Sequence, residues 1–355
     1  NFLWIIYQIS KETELQKKSR KLSQQVQSLP EKTYHITYKP QVKTLNIIFF
    51  GSPTYSSNVL SYIFNSKHKI KAVVTQDIKK KRNKKEPRTP VGVFSELNNI
   101  QTYYPSNLSD EEFINNISNQ KADIFLIYAY GKILPKELIS IPKYGVINIH
   151  CSLLPRWRGA APIQRALLNN DKLTGVTFFK IDEHLDTGKI ISSYEYPINE
   201  SHDTLSLQDD LTSLAIQNIE DIFDKAINHN DLNSQDNNKA TYARKLTKEE
   251  SVISWEEDAM SIISKIKAFA GWPGVQAELF KVKFKIIKAH LSAKTSSLDY
   301  GSIVTFNHDK LEIQVKNGTI EIDKLQLLGK NIITCRDLYN SNSEFSAKIK
   351  NYSVK

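Results

Sequence analysis

The stretch Val146-Ile147-Asn148-Ile149-His150-Cys151-Ser152-Leu153-Leu154-Pro155-Arg156-Trp157-Arg158-Gly159-Ala160-Ala161-Pro162-Ile163-Gln164-Arg165-Ala166 changes character twice within 21 residues. Its apolar opening, Val146 to His150, predicts a β-strand, and the two-residue spacing puts Asn148 and His150 on one face of it. Pro155 and Gly159 then bend the chain. Pro162 stands in the first turn of a helix expected over Ile163 to Leu168. Strand, bend and helix N-terminus in that order form the kind of connection at which α/β sheets bind ligands.

Working outward, near-continuous apolar runs at Asn46–Phe50, Lys69–Thr75, Asp123–Tyr128 and Val176–Ile181 predict buried strands. Helical patterns at Tyr55–Asn65, Asp110–Asn119 and Thr204–Asn228 alternate with them. That alternation predicts a Rossmann-like, doubly wound, mostly parallel α/β sheet. Gly51-Ser52-Pro53 follows the first strand without a G-x-G-x-x-G, so no nicotinamide cofactor is expected. Beyond Leu246 the segments shorten: Lys281–Ile286, Ser302–Phe306, Leu311–Val315 and Thr319–Ile322, with an Asn317-Gly318 turn, predict a small β-barrel. The expected divisions are an N-terminal extension (1–44), a catalytic domain (45–228), a polar linker (229–245) and a C-terminal domain (246–355).

A chain of 355 residues, 40% hydrophobic, suffices for two cores. Its two cysteines match no disulfide framework or metal spacing, so a reducing compartment and no metal are expected. No apolar run reaches the roughly 18 residues that span a bilayer, and no membrane association is expected. The net charge of +10 is weak evidence alone, but Lys79–Lys85 holds six basic residues in seven. Strand alternation would also put Lys281, Lys283 and Lys285 on one face of the barrel, and both clusters suit phosphate contacts.

The chemistry centres on Asn148 and His150. An amide N–H and a protonated imidazole are both donors, suited to a carbonyl oxygen that becomes an anion. Asp186, in Leu185-Asp186-Thr187-Gly188 after the Val176–Ile181 strand, would pair with His150 and hold it charged. With no activated serine or cysteine beside this set, direct attack by the substrate's own nucleophile is expected. Cys151 neighbours His150 on the strand, so its thiol should point to the opposite face.

Asn-x-His, Ser-Leu-Leu-Pro and Leu-Asp-x-Gly together resemble the pattern of the folate-dependent formyltransferases. The run Arg156 to Ala166 resembles the tRNA-directed branch of that family, and the likeness extends through Phe50-Gly51-Ser52-Pro53, Tyr128–Pro135, Tyr242–Leu246 and Trp272-Pro273. His184 departs from the glycine frequent before Leu-Asp-x-Gly. The resemblance implies formyl transfer from 10-formyltetrahydrofolate to the amine of methionyl initiator tRNA. In it Asn148 and His150 are oxyanion donors, while Asp186 partners His150 and helps remove the amine proton through water. It also implies folate contacts at Ile133, Leu134, Ser152, Leu153, Leu154, Pro155 and Leu185. Lys81, Arg82, Lys84 and Lys85 would form a loop at the tRNA acceptor end, Arg82 leading, with Lys281, Lys283 and Lys285 on an OB-like C-terminal domain. A monomer in the bacterial cytoplasm is the expected setting, with an organellar matrix the alternative. Residues 1–44 fall outside this resemblance and weakly resemble the C-terminal tail of peptide deformylase.

Two other functions are weighed against this one. Formyl transfer to a sugar nucleotide or purine precursor is disfavoured by the Gly159–Ala166 run, the basic loop and the C-terminal barrel. A noncatalytic folate- or RNA-binding protein is disfavoured by the presence of Asn148, His150 and Asp186 together.

Overall fold

A computed structural model describes residues 43–76, 88–228, 232–294 and 296–352, and Val42–Lys355 forms one compact unit. The expectations for residues 1–42 and for Lys79–Lys85, including Lys81, Arg82, Lys84 and Lys85, lie outside the described residues.

Seven strands build the first sheet: β1 (Asn46–Gly51), β2 (Lys69–Val74), β3 (Thr102–Tyr103), β4 (Ile124–Tyr128), β5 (Val146–His150), β7 (Leu173–Lys180) and β8 (Ile190–Pro197). A two-residue strand, β6 (Arg158–Gly159), lies between β5 and β7 in sequence and belongs elsewhere. The spatial order is β3-β2-β1-β4-β5-β7-β8. Pairings from β3 through β5 are parallel, and β7 and β8 add antiparallel at one edge. The doubly wound, mostly parallel expectation therefore holds, with the antiparallel edge as a detail periodicity did not show.

The central strands are apolar at nearly every position because both faces are covered. Ile47, Phe49, Ile147 and Ile149 pack with Leu207, Leu211, Ala215 and Ile219 of the helix Thr204–Asn228. Ile48, Phe50, Phe125 and Ile127 face the opposite way, among Phe113, Ile117 and Leu138. Fully burying such a side chain stabilises the fold by roughly 1.5–3 kcal/mol relative to exposure. The helix Pro90–Leu97 was not anticipated, although its signals are in the sequence: Pro90 opens it and the Thr89 hydroxyl accepts from Gly92 N at 3.0 Å.

The C-terminal domain contains β10 (Val275–Leu279), β11 (Val282–Leu291), β12 (Ile303–Phe306), β13 (Leu311–Val315), β14 (Gly318–Leu327) and β15 (Ile332–Thr334), after the short β9 (Tyr242–Ala243), which pairs with β6. They form one antiparallel sheet in the order β10-β11-β14-β13-β12, with β15 on β14. The expected barrel is corrected on one point: no closing pair joins β10 to β12 among the described residues. Helices bury much of the apolar face instead, through Ile262 and Ile266 of Ala259–Ala268, Leu338, and Phe345 and Ile349 of Glu344–Tyr352.

The polar segment expected as a linker has a structural task. Asn233 bridges to Ile190, and Gln235 and Asn237 bind the Arg158 guanidinium. The helix Pro162–Leu168 packs on the C-terminal core through Leu168, alongside Ala161. Arg165 fastens the contact, donating to Glu250 at 2.5 Å and to the Arg244 carbonyl at 3.1 Å.

Candidate active site

Asn148 and His150 end β5 on the sheet face shared with Phe179, the register partner of Asn148, and the His150 ring meets Phe179 edge-on with centroids 6.4 Å apart. Beyond the strand the chain folds back on itself. Thr177 donates to Ser152 O and accepts from Leu154 N, the Ser152 hydroxyl donates to Arg156 O, and the turn brings Trp157 O to 2.9 Å from His150 Nε2. A carbonyl only accepts, so Nε2 carries a proton and Nδ1 is the ring nitrogen left for other work.

Asp186 approaches from the opposite side. The loop after β7 is stapled by Asp182, whose carboxylate accepts from His184 N at 3.0 Å and Thr187 Oγ1 at 2.7 Å. It closes on Gly188, where a Cβ would stand 1.7 Å from Lys180 O, so only glycine fits. Asp186 itself is left-handed, at φ +53°. Its Oδ2 accepts from Gly159 N at 2.7 Å and lies 3.7 Å from His150 Nδ1, with both side chains largely buried. The expected pair is thus an ion-pair approach rather than a direct hydrogen bond, because the Gly159 amide takes the near side of the carboxylate.

These three residues border a cavity of about 530 Å³. No other described residue engages the Asn148 amide. Ile133, Leu134 and Leu185 line the same cavity; Leu134 is buried, whereas Ile133 and Leu185 are 79% and 54% exposed. Large apolar side chains left in water at a cavity edge suit a flat, partly apolar ligand. Ser152, Leu153, Leu154 and Pro155 do not line it. Their hydrogen bonds are spent building the turn, so the Ser-Leu-Leu-Pro motif shapes the site from behind.

Cys151 points to the other face, as alternation requires, with Tyr128 Oη at 3.3 Å and Gln208 Nε2 at 3.7 Å. Burial pushes its thiol up to about 11, far from a nucleophile's range. Of the lysines assigned to one barrel face, only Lys283 and Lys285 share it, opposite Glu278 and Gln276. Lys281 sits in the Phe280-Lys281 turn at φ +66°, outside the strand period, and Lys285 Nζ donates to Pro273 O at 2.9 Å. Sequence reasoning missed Gln235 and buried Arg158 as site residues. The cluster of amides around Gln235 looked like a solvated linker; the bridge of Asn233 to Ile190 and the pairing of β6 with β9 bring it under the Asp186 loop.

A doubly wound sheet with this cavity at its strand ends, followed by an antiparallel domain, defines the class. The chain belongs to the formyltransferase family: residues 45–220 match the family's formyl transferase model and residues 245–343 its C-terminal domain. It is an enzyme of that family. Within it, the chain is 34% identical to the methionyl-tRNA formyltransferase of Legionella pneumophila strain Corby over 299 residues, covering 84% of this chain and 95% of that protein. Among solved structures, the N-formyltransferase of Helicobacter canadensis, in complex with folinic acid and dTDP-3-aminofucose, aligns with TM-score 0.58 at 21% identity over 79% of this chain and 99% of its own. HypX of Aquifex aeolicus in complex with tetrahydrofolic acid aligns with TM-score 0.59 at 12% identity, over 84% of this chain and 47% of its own. At those identities the two structures speak to the fold.

Proposed function

We propose that this enzyme transfers the formyl group of 10-formyltetrahydrofolate to the amino group of methionyl initiator tRNA. The observation that carries the reading is the convergence of Asn148, His150 and Asp186 on one cavity. It is supported by the 95% coverage of the Legionella relative.

Bond formation between the amine nitrogen and the formyl carbon puts negative charge on the formyl oxygen. The Asn148 amide and His150 Nδ1–H are the donors for that oxygen. With Nε2 already donating to Trp157 O, the ring then donates from both nitrogens and is the imidazolium, its charge facing Asp186 Oδ2 at 3.7 Å. Asp186 takes the amine proton through water, and the bond from the formyl carbon to N10 of the folate breaks, N10 leaving with the electron pair and gaining a proton. The residues present fit the donor: a cavity of about 530 Å³ lies within the range of small-molecule sites, and Ile133, Leu134 and Leu185 would pack against the flat faces of its rings. Acceptor RNA would be held by Lys81, Arg82, Lys84 and Lys85 and by exposed Lys283, through phosphate and shape rather than base-edge patterns.

Incubation with 10-formyltetrahydrofolate and either methionyl-tRNA or a dTDP-amino sugar, read by mass spectrometry, tests this. Formylmethionine released from the tRNA, with the sugar unmodified, is expected. Formylation of the sugar alone overturns the tRNA assignment.

A further inference from the structure

We propose that Gln235 is a positioning residue for Asp186, itself held in place by Arg158. The Gln235 Nε2 amide donates to two main-chain carbonyls of the Asp186 loop, Asp186 O at 2.9 Å and Gly188 O at 2.8 Å. Its Oε1 accepts from Arg158 Nε at 3.0 Å and from a terminal nitrogen at 2.8 Å, and that same nitrogen donates to Asn237 Oδ1 at 2.9 Å. Arg158 is 2% exposed, and among the described residues it has no carboxylate partner.

A buried guanidinium satisfied by neutral amide oxygens is a costly arrangement, which persists where it holds something in place. The contacts close a ring. Arg158 grips Gln235, Gln235 grips the Asp186 main chain, the Asp186 carboxylate accepts from Gly159 N, and Gly159 follows Arg158 in sequence. Asp186 is thereby held at both ends from one dipeptide, in a left-handed backbone at φ +53° that aspartate tolerates better than most residues other than glycine. Releasing the main-chain end frees the loop to relax, and Oδ2 then leaves its place before His150. The Arg158 pairing fixes the orientation of the Gln235 amide, since a guanidinium only donates and so takes the amide oxygen, and leaves both N–H groups for the loop.

The inference rests on the assignment of Asp186 to formyl transfer, and the experiment separates the two. Single-turnover formyl transfer to methionyl-tRNA is measured for Gln235→Ala, Gln235→Glu, Asp186→Ala and the double variant Gln235→Ala with Asp186→Ala. Gln235→Glu keeps an oxygen for Arg158 and the shape of the side chain but has no N–H for the loop. Both Gln235 substitutions are expected to slow the step by about tenfold or more, as small misplacements of a reacting group do, with KM for either substrate changed less than about twofold. In the Asp186→Ala background the Gln235→Ala penalty is expected to shrink to less than about twofold, the non-additivity of residues that act as one unit. Amide exchange at Gly159 should quicken in both single Gln235 variants. An undiminished penalty in the Asp186→Ala background overturns the positioning role while leaving Asp186 in the reaction. A parental rate in Asp186→Ala itself overturns both assignments.

Discussion

His150 and Asp186 face each other across 3.7 Å, Nδ1 to Oδ2, and the histidine is oriented for that encounter from behind, its Nε2 held 2.9 Å from Trp157 O. The aspartate is oriented separately, by Gly159 N at 2.7 Å. Each member of the pair is fixed by main-chain groups of the turn after β5 rather than by the other. A substrate group or a water in the cavity can therefore bridge Nδ1 and Oδ2 from the side without dismantling either.

Removing a donor from this site should slow the chemistry and spare the binding. His150→Ala and Asn148→Ala are each expected to lower the single-turnover rate by about 100-fold or more, the effect of losing one preorganised donor worth ~3 kcal/mol. Equilibrium binding of the folate, followed by fluorescence titration, should change little. A rate near the parent's in either variant removes that residue from the oxyanion role.

Asp186→Asn keeps the size of the side chain and discards its charge. An amide accepts from Gly159 N as the carboxylate does, so the loop should stay in place while proton removal fails. The expected loss is about 100-fold in rate, at the lower end of what general-base groups supply. Thermal unfolding within about 2 °C of the parent, measured alongside, would tie that loss to chemistry rather than to folding.

Both thiols should be silent in the native protein. Burial raises Cys151 and Cys335 from 9.0 to about 11, which leaves little of the thiolate that reagents attack at pH 8. Iodoacetamide labelling of the folded chain should run about 100-fold slower than that of an exposed thiol, consistent with a two-unit displacement. Because the folded values lie above the unfolded ones, this contribution to stability is intact below pH 9 and is lost as the pH climbs towards 11. The urea midpoint of Cys151→Ser should accordingly fall less over that range than the parent's.

Arg165 joins the two cores. Its guanidinium meets Glu250 at 2.5 Å and the Arg244 carbonyl at 3.1 Å, and the arginine hydrogen bond holds the Glu250 carboxyl below the usual carboxylate range. Arg165→Ala is expected to cost about 1.5–3 kcal/mol, the size of hydrogen bonds to charged groups, measured by denaturant titration at pH 7. With the folded carboxyl depressed, the pair stabilises above the ordinary glutamate range and fades as acid titrates Glu250. The gap between parent and variant should narrow at pH 3.5. A gap independent of pH would assign the cost to packing alone.

RNA binding should divide between the two basic regions. Arg82→Ala is expected to weaken use of methionyl-tRNA without altering folate affinity, since the folate cavity is built from other residues. Lys283→Ala should weaken binding of many RNAs alike and reduce the log–log salt slope by about 0.7 to 0.9 for the lost phosphate contact. Lys285→Ala should do less, because its ammonium is already bound to Pro273 O. Filter binding across a salt series separates these outcomes.

Local chemistry was enough to foresee much of this protein. Apolar runs buried on both faces announced the parallel sheet, and alternation placed Asn148 with His150 and Cys151 away from them. Glycine at 188 could be read from its motif, although the reason for it, the Lys180 carbonyl, comes from a fold-back of the chain. What only the tertiary structure decided are relationships between segments far apart in sequence. Gln235 lies 49 residues from Asp186 and reads as one more polar residue in a loop until Asn233 bridges to Ile190 and β9 docks on β6. The 3.7 Å separation of His150 and Asp186 was equally out of reach, because Gly159 competes for the carboxylate and sequence carries no distances. The open path of the C-terminal sheet was another such case: alternation reports that one face of a strand is buried, and it is silent on whether another strand or a helix covers that face.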